Sequence, residues 1–166
     1  MIEMAVVATP IGPLTVAARD GLTCLLHFGG DEDTARAALV KWYGHVTIQP
    51  ASDPGGTATV LRRYFAGELD SLDDVEVEMN GTDFQRRVWA ALRSVKAGRT
   101  ASYAQIAHSI AAPSAVRAVG AANGANPVAV VVPCHRIIGT NGTLTGYGGG
   151  LERKEWLLRH EGGRLF

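Results

Sequence analysis

Cys134 and His135 stand side by side, with Arg136 next in line and Glu161 further along the chain. A cysteine attacks as its thiolate, and a free thiol titrates near pH ~8.5, so nucleophilic work at neutral pH needs a base. A histidine can serve as that base, and a carboxylate can orient it. Neighbours on an extended strand point to opposite faces, so a turn or a water must bridge Cys134 and His135. From this pair alone, a catalytic couple and a buried cysteine beside an unrelated histidine both stay open. The other cysteine, Cys24, lies in the apolar run Leu22-Thr23-Cys24-Leu25-Leu26 and reads as a structural core residue. Two cysteines are too few for a disulfide scaffold, so a reducing compartment is expected. His27 beside Cys24 does not make a metal site, and neither metal nor cofactor is expected despite five histidines.

The elements that must position these residues follow from pattern. Residues 4–8, 14–18 and 21–28 read as strands, the first two joined by the turn Thr9-Pro10-Ile11-Gly12-Pro13. Residues 31–43 and 57–66 read as helices with a Pro-Gly-Gly loop before the second. Thr82-Asp83-Phe84-Gln85 and Ser102-Tyr103-Ala104-Gln105 are capping-box patterns, each opening a helix. Phe84, Val88, Leu92 and Val95 share one face of the first of these helices. Pro113 is placed to begin a further helix that stops at Asn123-Gly124, giving a helix-turn-helix pattern. Its small residues, Ala118, Gly120 and Ala121 among them, would let it approach a nucleic-acid groove or a neighbouring helix. Residues 128–132 form a Val-rich run expected to be a buried strand that delivers Cys134 at its end. A glycine-rich loop over residues 139–150 follows, without P-loop spacing. A last helix then runs to His160, with Glu161 in its final turn and Gly162 as a stop.

Charge divides the chain. Residues 1–80 hold five Lys/Arg and twelve Asp/Glu, whereas residues 81–166 hold eleven and four. An acidic half beside a basic half predicts two domains, 1–80 and 81–166, the basic one facing a polyanion. The segment Met1-Ile2-Glu3-Met4-Ala5 has neither the basic start nor the apolar core of a signal peptide, and no run is long enough to span a bilayer. A cytoplasmic or nucleoid location is expected.

Pro133-Cys134-His135-Arg136, preceded by Asn126-Pro127 and the valine run, resembles the active-site signature of the O6-alkylguanine-DNA alkyltransferases. The two capping-box segments, Arg117-Ala118-Val119-Gly120, Tyr147 with its glycines, and Lys154-Glu155-Trp156-Leu157-Leu158 continue the likeness over residues 81–163. The resemblance implies an α/β N-terminal domain of ribonuclease-H-like fold and a mainly α winged helix-turn-helix C-terminal domain. It implies irreversible, single-turnover repair of O6-alkylguanine, and of O4-alkylthymine, in double-stranded DNA, by alkyl transfer to Cys134 and without a cofactor. His135 would act on Cys134 through a water, oriented by Glu161, whose charge would favour the imidazolium. Asn126 would brace the turn before the active-site segment. Tyr103 would hydrogen-bond the leaving guanine. Arg117 would enter the duplex in place of the flipped nucleotide, with Ser102, Ala121, Asn123 and Arg136 as further DNA contacts. Tyr147, Gly148, Gly149, Ile137 and Ala129 would line the lesion pocket, the carbonyls of Cys134 and Ile137 reading the guanine amino group. A monomer is implied, with cooperative assembly on DNA left open.

Two departures bear on substrate breadth. Some members carry serine where this chain has Gly148, and some carry proline at the position of Ala129. Their zinc site, where present, has no counterpart here. Two other readings compete. A non-catalytic binder of alkylated DNA would lack the acceptor cysteine, which this chain has. A Cys-His hydrolase on an unrelated scaffold would leave the basic half unexplained.

Overall fold

The computed structural model describes residues 1–162. Two compact units are present. The first takes Met1–Asn80 together with Pro127–Val131, and the second takes Gly81–Asn126 and the chain from Val132 on.

The first unit is a four-stranded sheet carrying helices. Strand β1 (Ile2–Val7) pairs antiparallel with β2 (Leu14–Arg19), and β2 pairs antiparallel with β3 (Leu22–Phe28). The hairpin over residues 9–13 is the expected one. Thr9 shapes it by donating its hydroxyl to the Gly12 carbonyl, 2.5 Å away. Helix α1 (Glu32–Tyr43) begins at Asp31, whose carboxylate accepts from the Asp33 amide. Ala35 and Leu39 of that helix pack on Ile2, Met4, Ala17, Cys24 and Leu25 of the sheet. The short strand β4 (Ile48–Pro50), absent from the pattern analysis, pairs parallel with Ile2 to Met4. Helix α2 (Thr57–Phe65) completes the unit. Cys24 is fully buried in this core, where desolvation pushes its thiol up to about 11.

Residues 128–132 do not form the expected strand. The chain from Pro127 meets β3 at Leu26, whose amide donates to the Pro127 carbonyl and whose carbonyl accepts from Ala129. Val130 then adopts φ +69, and the Val131 amide closes a γ-turn onto the Ala129 carbonyl at 2.8 Å. A buried apolar run fits a strand or a buried turn equally well. The left-handed backbone at Val130 costs on the order of 1–3 kcal/mol, so the surrounding structure, and not the run's own preference, imposes the turn.

The second unit is mainly helical. Helix α3 (Asp83–Arg93) opens with the complete capping box of Thr82 and Gln85 and buries Val88, Trp89 and Leu92. Trp89 donates its indole N–H to the Ala122 carbonyl at 2.8 Å. The two-residue strand β5 (Ala101–Ser102) leads into α4 (Tyr103–Ser109), capped reciprocally by Ser102 and Gln105. Helix α5 (Val116–Gly124) starts three residues later than expected, because Pro113 sits in the preceding turn and Ala115 is the N-cap. Strand β6 (Ile137–Ile138) pairs parallel with β5, Ala101 opposite Ile137 and Ser102 opposite Ile138. This pairing sets the start of α4, and so Tyr103, beside the residues that follow Cys134. Helix α6 (Leu151–His160) ends at Glu161, and Gly162 takes φ +77. Among the described residues no helix is long and apolar enough to cross a membrane. Gly163, the last residue of the resembling stretch, lies outside them.

Candidate active site

The chain leaves the second unit at Asn126 and re-enters it at Val132, and these two residues are tied together. The Asn126 side-chain amide donates to the Val132 carbonyl at 2.7 Å. Pro133 follows with φ −83 and ψ 65, an inverse γ-turn closed by the Cys134 amide on the Val132 carbonyl. Cys134, His135 and Arg136 then form a single 3-10 turn. Residues on such a turn do not alternate between faces as strand residues do.

All three side chains of this turn are buried, and so is Glu161. His135 and the Glu161 carboxylate meet at 2.8 Å through Nε2 and Oε2. Arg136 grips the same carboxylate with both arms, Nε to Oε1 and Nη2 to Oε2, each at 2.9 Å, and its Nη1 donates to the Val95 carbonyl at 2.6 Å. Burial alone would raise the Glu161 carboxyl; the charge and hydrogen bonds of His135 and Arg136 outweigh it and hold the group well below the usual carboxylate range. Burial is also the largest influence on His135 and lowers it, against the pull of Glu161. The imidazole is therefore neutral at neutral pH. Glu161 works against that burial and favours the protonated ring, in the sense the resemblance implies. With Nε2–H directed at the carboxylate, Nδ1 is the basic nitrogen, and it is buried without a hydrogen-bond partner among the described residues.

Cys134 is 7 % exposed. Burial pushes its thiol up, and a hydrogen bond from Asn126 and the charge of Lys154 draw it back. Lys154 is wholly buried on α6, its ammonium donating to the Ile137 carbonyl at 2.5 Å and to the Thr145 carbonyl at 3.3 Å. Desolvation brings it down to about 8. The Tyr103 hydroxyl lies 2.8 Å from Thr145 Oγ1. The arrangement is a buried thiol, a neutral imidazole held by a carboxylate, and a nearby ammonium. It can generate a thiolate, and it has no group of three metal-ligating side chains among the described residues.

Comparison with known proteins gives this chemistry a family. The family described as 6-O-methylguanine DNA methyltransferase, DNA binding domain, matches residues 83–163. The methylated-DNA–protein-cysteine methyltransferase of Salmonella typhimurium is 48% identical over 159 residues, covering 94% of this chain and 93% of the relative. The crystal structure of the Mycobacterium tuberculosis O6-methylguanine methyltransferase matches with a TM-score of 0.79 at 44% identity, covering 97% of this chain and 93% of that one. The crystal structure of Mycobacterium tuberculosis OGT in complex with DNA matches with a TM-score of 0.78 at 44% identity, over 96% of this chain and 92% of that one. The chain belongs to the methylated-DNA–protein-cysteine methyltransferase family.

The other residues expected from the resemblance to this family fall in varied places. Arg117 and Ala121 are exposed on α5. Ser102 is half-buried, and its hydroxyl accepts from the Gln105 amide as a helix cap. Asn123 and Arg136, expected to contact DNA, are only 6 % and 4 % exposed. Asn123 faces inward on α5, and Arg136 is committed to Glu161 and Val95, so neither presents its side chain to a polyanion. Tyr147 is half-buried and Gly148 exposed, whereas Gly149 is buried and its carbonyl accepts from Arg153. The carbonyls of Cys134 and Ile137 already accept from the Ile137 amide and from Lys154. A carbonyl has two lone pairs, so each retains one for a ligand. Ala129 lies in the segment that belongs to the first unit. Lys154 and Thr145 were not among the expected site residues, since a lysine on an amphipathic helix and a threonine in a loop both read as surface.

Proposed function

We propose that Cys134 is the residue on which this chain performs its family's reaction, DNA repair by transfer of an alkyl group from DNA to a protein cysteine. The observation that carries the assignment is the 2.8 Å contact of Glu161 with His135, the residue next to Cys134 on the turn, because it engages Nε2 and leaves Nδ1 as the basic nitrogen of a neutral imidazole. His135 Nδ1 takes the thiol proton through a bridging water, and the sulfur attacks the alkyl carbon. An S–C bond forms, the C–O6 bond breaks, and guanine departs with a proton supplied through Tyr103. The resulting thioether is a poor leaving group, so each chain turns over once.

Double-stranded DNA bearing O6-alkylguanine is the substrate, with O4-alkylthymine accepted by the same displacement. A base within a duplex cannot reach a buried sulfur, so the nucleotide must be flipped out, at a cost of a few kcal/mol. Arg117, exposed on the first turn of α5, fills the gap it leaves. The two short helices α4 and α5 with the β5–β6 pair support a winged helix-turn-helix reading of the second unit, and the mixed sheet with its helices supports a ribonuclease-H-like reading of the first. The protein acts as a monomer in the cytoplasm or on the nucleoid. Incubation with a duplex containing O6-methylguanine, followed by intact mass and peptide mapping, tests the assignment. One added methyl on Cys134 per chain is expected; an unmodified chain, or a methyl elsewhere, refutes it.

A further inference from the structure

Lys154 belongs to no step of the mechanism above, yet its placement is unusual. Lysines on helices normally carry their ammonium to solvent along an apolar stem. Lys154 is 0 % exposed. Its hydrogen-bond partners, the carbonyls of Ile137 and Thr145, are neutral. Among the described residues no carboxylate lies within ion-pair distance of it. Arg136, buried in the same unit, has the Glu161 carboxylate to balance it. Removing a charge from water without a counter-charge is strongly unfavourable, and such groups persist where something else uses the charge.

We propose that Lys154 is a positioning residue for the transfer reaction: its buried ammonium ties the strand after Cys134 to the loop whose Thr145 meets the Tyr103 hydroxyl, and supplies the positive charge that balances the Cys134 thiolate. The inference rests on the assignment of Cys134 as the acceptor. The groups that act on the sulfur are few. His135 is neutral in the resting state, Glu161 is balanced by Arg136, and Asn126 contributes a hydrogen bond. Lys154 alone brings an uncompensated charge, and the interaction is mutual, each of the two groups favouring the ionised form of the other. When the thiol proton moves to His135, the sulfur and the ammonium become a buried ion pair. Lys154 takes no proton in this step.

The tether has two arms. Through Ile137, whose amide donates to the Cys134 carbonyl, Lys154 reaches the turn that bears the sulfur. Through Thr145, whose carbonyl accepts from Lys154 and whose hydroxyl meets Tyr103, it reaches the leaving-group donor. One side chain thus fixes the nucleophile and the proton donor relative to each other.

The test compares wild type with Lys154→Met and Lys154→Gln. Rates of Cys134 alkylation by iodoacetamide are followed by intact mass as a function of pH without DNA. Single-turnover transfer is measured at saturating methylated duplex, with duplex Kd alongside. Both variants should move the midpoint of the iodoacetamide profile up by one pH unit or more and slow saturating transfer tenfold or more at neutral pH. Duplex Kd should stay within twofold. Superimposable profiles, or a glutamine variant that restores wild-type behaviour by hydrogen bonding alone, would overturn the charge assignment. Should neither variant fold, the wild type decides. The chain has three lysines, Lys41, Lys96 and Lys154, so Nζ titration by NMR resolves the buried one. Methyl capping of Cys134 should lower its midpoint by half a unit or more, and an unmoved midpoint refutes the proposal. A wild type that reacts with iodoacetamide but takes no methyl from the duplex would fail the functional assignment, while its thiol profile still reads Lys154.

Discussion

The two units bury polar groups of different kinds. In the first unit the buried polar side chains are hydroxyls, Thr15, Thr23, Thr57 and Ser71. In the second they are Asn123, His135, Arg136, Lys154 and Glu161. A buried hydroxyl needs one partner and is then nearly neutral for stability, as with Thr23 and Thr57 at 2.5 Å. Buried ions need fitted geometry and gain little even when paired. The unit that tolerates them is the one that holds Cys134, and the cysteines follow the same division. Cys24 donates to the Ala17 carbonyl at 3.6 Å among apolar neighbours and is inert; Cys134 sits among groups that can ionise it.

The largest expected contrast is between these cysteines. Cys134→Ser should abolish methyl transfer, since a hydroxyl is a far weaker nucleophile, and leave duplex affinity within a few-fold. Cys24→Ser should transfer at the wild-type rate while losing stability, because a hydroxyl is placed in an apolar core. Transfer assays by intact mass on both variants check the pair. Comparable losses of transfer would end the division of labour between the units.

Next comes the energetic contrast. Arg136→Met removes one partner of a buried, bidentate pair and should destabilise by about 3–5 kcal/mol. Thr57→Val removes one partner of a buried hydroxyl pair and should cost about 1–3 kcal/mol. Urea unfolding of both variants gives the comparison, and a smaller loss for Arg136→Met would mean the charge cluster is loosely packed. Arg136 also shows what the sequence concealed. The resemblance implied a DNA contact there, and nothing in the neighbourhood of residue 136 announces a carboxylate at residue 161. Lys154 was missed for the same reason, and Asn123 was expected outside for a related one: helix periodicity alone does not say which face of a short, small-residue helix turns inward. What depended on neighbours in the chain was legible. Both capping boxes form as written, and the hairpin at residues 9–13 closes where its Pro-Gly pattern places it. The valine run failed because composition carries no information on the sign of φ at Val130.

Acid should separate the units more gently. A carboxyl held below its ordinary value of 4.5 contributes stability that is fully present above that value and is lost as pH falls below it toward the folded value. Glu161 is such a group. Wild type should therefore lose stability between neutral pH and strongly acid pH more steeply than Glu161→Gln, whose amide does not titrate. The two stability curves should converge on the acid side. Parallel curves would show that Glu161 is no better stabilised as an anion in the folded chain than in the unfolded one. The same variant should slow transfer at neutral pH tenfold or more, in the range for losing assisted proton transfer, because the amide keeps an acceptor but loses the charge that favours the ring as it takes up the thiol proton.

The smallest effect is expected at Gly120, and it tests how closely the second unit is built around its site. Gly120 lies in the middle of α5, half-buried, where a glycine is locally unfavourable by about 0.5–1 kcal/mol relative to alanine. Its conformation does not require glycine, since its φ is not positive. A Cβ added there would meet the Tyr103 ring at 3.8 and 3.9 Å, ordinary contact distances, and no other neighbour within 4 Å. The small residue is therefore not holding space for the tyrosine. Gly120→Ala should raise stability by up to about 1 kcal/mol through helix propensity and leave methyl transfer from the duplex unchanged. A drop in duplex transfer with normal reaction toward free O6-benzylguanine would instead show that this face of α5 needs its glycine for close approach to DNA. A drop on both substrates would show that Tyr103 has been displaced by less than an ångström, and that its hydroxyl, 2.8 Å from Thr145, works within that tolerance.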